Sequence, residues 1–174
     1  MRPIRSADAD SATVLKVELA GEVLRSFGSL RFSATGWSML PTIRPGDTLV
    51  VERTRSDQVR VGDVVLVSRQ GRLCAHRVFA KTQSSPGRRW ITQGDAMAVP
   101  DPAVSEDQLL GRVAYLIRRG KLMKVPADLS GADRLVARTF RRSMLAARAF
   151  VGLHQFRLRK ARLELPEPDR TCPS

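Results

Sequence analysis

"ATGWSMLPTIRPGD", residues 34–47, sets Ser38 between two large apolar residues, Trp37 and Met39, and follows them with Leu40 and Pro41. Two glycines (Gly36, Gly46), two prolines (Pro41, Pro45) and Asp47 give the stretch turn chemistry at both ends. Read alone, it is a proline-rich connection between two strands, with Ser38 as an ordinary turn residue. Its other reading is a hydroxyl held at one point by apolar anchors. The residues around it decide between the two.

Working outward, "SLRFSAT" (29–35) alternates apolar and polar side chains, as a half-buried strand does, and "DTLVVER" (47–53) is strand-like again. "SDQVRVGD" (56–63) reads as a turn, "VVLVSR" (64–69) as a strand, "QGR" (70–72) as a hairpin connection and "LCAHRVFAK" (73–81) as the returning strand. A loop is expected over "TQSSPGRR" (82–89), a short strand over "WITQGD" (90–95) and an irregular crossing over "AMAVPDPAVSED" (96–107). "QLLGRVAYLIRRGKLMKV" (108–125) closes with two strands around Gly120. The expected fold is mainly β, a compact domain of antiparallel strands over residues 30–125. An amphipathic helix precedes it within residues 1–29, its apolar stripe formed by Val14, Val17, Val23, Leu24 and Phe27. A basic helical extension follows over residues 126–174. There Val136, Phe140, Met144, Ala147, Val151 and Leu158 share one side, and arginines crowd the other.

The formal charge is +13, and it is uneven. Between Lys121 and Arg162, eleven lysines and arginines face two aspartates, a run of net charge +9 that begins at the end of the β-domain and continues into the extension. Such a tail suits an anionic partner. The two readings for it are a helix packed on the β-domain with a solvated basic face, and a helix lying on an anionic membrane surface. Nucleic acid is the less favoured partner, because the basic helix lacks interleaved aromatics for base stacking. The N-terminal stretch has no apolar signal core, and no run reaches the ~18 apolar residues of a spanning helix. A cytoplasmic chain, at most peripheral at a membrane, is therefore expected. Cys74 and Cys172 suggest neither a disulfide framework nor a metal site, and no cofactor is expected.

Three further residues carry chemistry. His76 lies on a predicted strand, its side chain on the same face as Cys74 and Val78. Asp95 and Asp101 fall six apart in a loop rich in turn residues. Each has a plain structural reading: a satisfied strand histidine, and solvated or capping carboxylates. Serine, histidine and aspartate in this order prove nothing by order alone, since such a set is recognised by geometry.

Taken together, "GWSMLPTIRPGDTLVVE", "VRVGDVVLV", "HRVFAK", "WITQGDAMAVPD" and "LLGRV" resemble the signal peptidase I superfamily block by block, from about Gly36 to Val113. The resemblance implies a signal peptidase/LexA-like β-domain and a serine endopeptidase, of the kind that processes signal peptides. By that resemblance Ser38 is the nucleophile, and His76 is the general base where other branches carry lysine, as in the archaeal and endoplasmic-reticulum branch. Asp101 completes the set and Asp95 braces the site. Met39 and Leu40 would anchor the motif, while Pro41 would end the strand geometry before it. Gly36 stands where relatives often place an oxyanion-stabilising hydroxyl, and Ala96 and Met97 stand where they carry polar residues. The implied partner is a peptide or protein substrate bound along a strand edge. Two alternatives stay open: a catalytically weak peptide-binding module of the same fold, and a LexA-like regulator that cleaves itself.

Overall fold

The computed structural model describes residues 7–84 and 87–142. The chain is mainly β: seven antiparallel strands in one sheet, flanked by an N-terminal helix α1 (Ala7–Phe27) and a second helix α2 (Gly131–Arg142). The strands are β1 (Ser29–Ser33), β2 (Thr48–Glu52), β3 (Val64–Arg69), β4 (Arg72–Ser84), β5 (Gly87–Gln93), β6 (Leu109–Arg118) and β7 (Lys121–Lys124). Their order across the sheet is β1-β2-β6-β3-β4-β5, with β7 pairing β6. Strand alternation splits the apolar residues between two faces. Leu49, Val51, Val64, Leu66, Val113 and Leu116 build one cluster, with Leu24 of α1 and Met39 and Ile43 packed into it. Val65, Val67, Val78, Trp90 and Val104 build the other, joined by Val59. The "QGR" connection closes as a two-residue hairpin, Gln70 and Gly71 both taking positive φ (47° and 72°), which suits the right-handed twist of the paired strands.

The structure departs from the sequence reading at three places. The expected loop over residues 82–89 is mostly strand: β4 runs to Ser84 and β5 starts at Gly87, so one long hairpin arm replaces it. Its polar side chains are exposed on both faces, and no apolar alternation marks such an arm as strand. Residues 85 and 86 lie outside the described residues. The second difference is in α1, whose buried line is Ala20, Gly21 and Leu24, with Val17 partly buried. Val14 (46% exposed) and Phe27 (78%) face outward instead. Small residues bring the helix close to the sheet: a Cβ on Gly21 would already touch Leu110 at 3.8 Å. A stripe drawn through large apolar residues misses that contact. The third difference concerns Pro41, which ends no strand: it is buried in the turn that carries Ser38.

α2 is capped at its start by Ser130, whose Oγ accepts the backbone N–H of Asp133 at 3.1 Å. Of the expected apolar side of the extension, Met144, Ala147, Val151 and Leu158 lie outside the described residues, as does Cys172. No helix among the described residues is long and apolar enough to cross a membrane.

Candidate active site

Ser38 sits on a tight turn between β1 and β2. The Leu40 N–H reaches back to Trp37 O at 3.2 Å, and the Ile43 N–H to Met39 O at 2.9 Å. Met39, Leu40, Pro41 and Ile43 are all buried, so this polar-looking stretch is nailed to the core on its apolar side chains. Burial of residues this size is worth roughly 1.5–3 kcal/mol each. Two arginine–aspartate pairs clamp the same turn. Arg77 binds Asp95 through Nε and Nη2 at 2.8 and 2.9 Å, and Thr42 Oγ1 donates to Asp95 at 2.6 Å. Arg118 binds Asp47 at 2.9 and 2.6 Å and also donates to the Thr42 carbonyl at 2.9 Å. Asp95 is 3% exposed and its arginine 12%, so both charges depend on this geometry. The turn therefore holds one shape.

The segment after β5 presses against Ser38 directly. Ala96 N–H donates to Ser38 O at 2.8 Å. A Cβ on Gly94 would lie 2.6 Å from that same carbonyl oxygen, so only glycine permits the approach. Beyond it the chain folds back along β5: Asp101 N–H donates to Thr92 O at 2.7 Å, and Val104 pairs with Trp90. This return brings Asp101 to β4, where His76 lies.

The three side chains then meet. His76 Nδ1 is 2.6 Å from Asp101 Oδ2, and His76 Nε2 is 2.9 Å from Ser38 Oγ. Asp101 Oδ2 also accepts from Thr92 Oγ1 at 2.7 Å, and its Oδ1 pairs with Arg69 at 3.1 Å. Burial pushes the Asp101 carboxyl upward, but hydrogen bonds from His76 and Thr92 and the charges of His76 and Arg69 outweigh it and hold it below the usual carboxylate range. An ionised carboxylate only accepts, so the Nδ1 proton belongs to the His76–Asp101 bond and Nε2 turns a lone pair toward the Ser38 hydroxyl. His76 is 13% exposed and Asp101 17%, so solvent reaches them only in part. Cys74 stands beside them, its thiol pushed up by burial, so it is a thiol rather than a nucleophilic thiolate.

Of the residues singled out from sequence, Ser38, His76 and Asp101 come together. Asp95, Met39 and Pro41 lie beneath them in the supporting layer, while Gly36 is exposed at the entry to the turn. Ser38 occupies a turn, held there by the buried prolyl and aliphatic side chains that follow it. Arg69, Thr92, Arg77, Thr42 and Gly94 were missed. Each reads in sequence as an ordinary strand or loop residue, Arg77 within "HRVFAK" included. Among the described residues no group of three His, Cys, Asp or Glu side chains is arranged to hold a metal ion.

Residues 8–91 match the family model described as Peptidase S24-like. The match starts in α1 and ends in β5, so it takes in Ser38 and His76 and stops short of Asp101. It supports the LexA/signal peptidase-like superfamily, and the mainly β fold fits an S24-like domain. None of the curated proteins matches the chain.

Proposed function

We propose that this protein is a serine endopeptidase of the Ser-His type that cleaves an extended peptide through an acyl-enzyme on Ser38. The observation that carries the reading is the continuous hydrogen-bonded line Ser38 Oγ–His76–Asp101, at 2.9 and 2.6 Å, at the mouth of a cleft. The family match supports a serine peptidase or LexA-like fold more broadly. Histidine as base, as in the archaeal and endoplasmic-reticulum branch, is the finer part of the proposal.

In this mechanism Ser38 Oγ attacks the peptide carbonyl carbon while its proton passes to His76 Nε2. The imidazolium then protonates the departing amine as the C–N bond breaks, leaving an ester on Ser38. Water, deprotonated by the same imidazole, hydrolyses that ester and returns the proton to Ser38. Asp101 fixes the imidazole orientation and stabilises its charged form. Gly36 brings no hydroxyl to the oxyanion, which leaves backbone N–H groups of the Ser38 turn as its donors.

The test is labelling by a fluorophosphonate probe together with hydrolysis of a diverse peptide pool. Wild-type protein should be labelled on Ser38 and cleave peptides, and Ser38→Ala should do neither. Cleavage that persists in Ser38→Ala would overturn the assignment. Peptide binding by a wild type that is neither labelled nor active would favour the binding-module reading.

A further inference from the structure

The cleft beside Ser38 and His76 holds about 640 Å³, and α1 forms part of its wall through Leu19, Ala20 and Val23. Phe32 and Leu73 belong to the strand side of the same cleft. Among the described residues that line it, Lys16 and His76 are the only Lys, Arg, His, Asp or Glu.

The helix turns Ala20, Gly21 and Leu24 to the core. It buries the small Ala20 at 5% exposure and leaves the larger Leu19 at 60%. Leu19 and Val23 are four residues apart and so share one helix face. Keeping a leucine in water at the rim of an apolar cleft forfeits burial energy that an occupant would recover. The cleft is continuous with Ser38 and His76, so its occupant is whatever presents a bond to the serine.

We propose that α1 is a specificity wall: the cleft takes aliphatic side chains of an extended peptide, and Leu19 and Val23 select them. This rests on the peptidase reading above. The substrate class is then a peptide with leucine, isoleucine or valine next to the cleaved bond, rather than one restricted to small side chains.

The experiment profiles cleavage of a peptide pool by the full chain, with fluorophosphonate labelling of wild-type Ser38 run alongside. For each variant the readout is the ratio of kcat/KM for a leucine-bearing peptide to that for its alanine counterpart, so a general loss of activity cancels. Wild type should favour leucine. Leu19→Ala should lower the ratio about tenfold, in line with what a few methylenes are worth in an apolar pocket. Val23→Phe, which narrows the cleft, should move the preference toward alanine. Leu19 is exposed, so its variant is expected to fold, as circular dichroism would check. A labelled Ser38 with the same ratio in all three proteins would overturn the role of α1 and leave the peptidase reading standing. A wild type that prefers alanine would overturn the aliphatic substrate class. No labelling and no cleavage in wild type would overturn the peptidase reading, and this inference with it.

Discussion

A serine hydroxyl is a weak nucleophile until a neighbour takes its proton, and the neighbour must be neutral to do so. In the proposed reaction Ser38 and His76 therefore act as one unit. Ser38→Ala and His76→Ala should each lower kcat/KM by on the order of a thousandfold or more while the fold stays intact, and the double variant should cost little beyond either alone. Replacing the imidazole by an amine does not preserve the role. A lysine in this partly solvated site stays charged at neutral pH, so His76→Lys should be nearly inactive at pH 7 and recover only in alkali. A fully active His76→Lys enzyme at pH 7 would remove His76 from its assigned role. Asp101 makes a separate prediction about stability. Its folded carboxyl is held below the ordinary value, so ionised Asp101 favours the fold. That contribution is complete above about pH 4, where an unfolded aspartate is ionised, and is lost as pH falls through the lower folded value. Denaturant titrations of Asp101→Asn should accordingly show a weaker loss of stability below pH 4 than wild type. An identical acid dependence would mean that the His76, Thr92 and Arg69 contacts do not lower the Asp101 carboxyl in solution.

At the scale of elements, the decisive piece is the turn over residues 34–47, pinned by two buried aspartates, each held by a partly buried arginine, and backed by Gly94. Gly94→Ala forces a methyl group to within 2.6 Å of the Ser38 carbonyl, a backbone atom that cannot swing aside. We expect about 1–3 kcal/mol of destabilisation, measured by urea unfolding, and a larger loss in kcat than this alone implies, because Ser38 shifts. Arg77→Met takes from Asp95 its arginine and should cost about 3–5 kcal/mol. A near-neutral result for either would show that the turn keeps its shape by its apolar anchors alone. These supports also mark the limit of what was legible in the sequence. Ser38 and Asp101 stand out as chemistry-bearing types in turn-rich surroundings and His76 as one on a strand, and the strands around them announce themselves by alternation. Arg77 and Arg69 did not, because an arginine in a strand has the pattern of a solvated face until its partner is known. That partner lies 18 residues away for Arg77. Gly94 was equally silent: its role is a distance to another segment, which no local pattern encodes. The end of the β4–β5 arm reads as a loop because both of its faces are polar.

For the molecule as a whole, Ser38, His76 and Asp101 lie in the sheet and the connections between its strands, while the densest run of positive charge, from Lys121 to Arg162, begins at β7. The strands end at Lys124 and α2 begins at Gly131, so a short linker leads from the sheet into α2. Arg77 touches that linker as well as the site, donating to Pro126 O and Ala127 O at 2.7 and 2.9 Å. A cluster of arginines and lysines on one helical segment gains about 1 kcal/mol per residue near an anionic lipid surface. That attraction is screened over ~10 Å at 0.1 M salt. The protein should therefore co-sediment with vesicles containing phosphatidylserine at low ionic strength, release as salt is added, and ignore neutral phosphatidylcholine vesicles. A chain ending before residue 132 keeps all seven strands and every residue of the candidate site, and it should lose the binding while keeping Ser38 labelling. Equal vesicle binding by the shortened chain would place the contact on the β-domain. Tight, salt-sensitive binding of duplex DNA without vesicle binding would reassign the basic segment to nucleic acid.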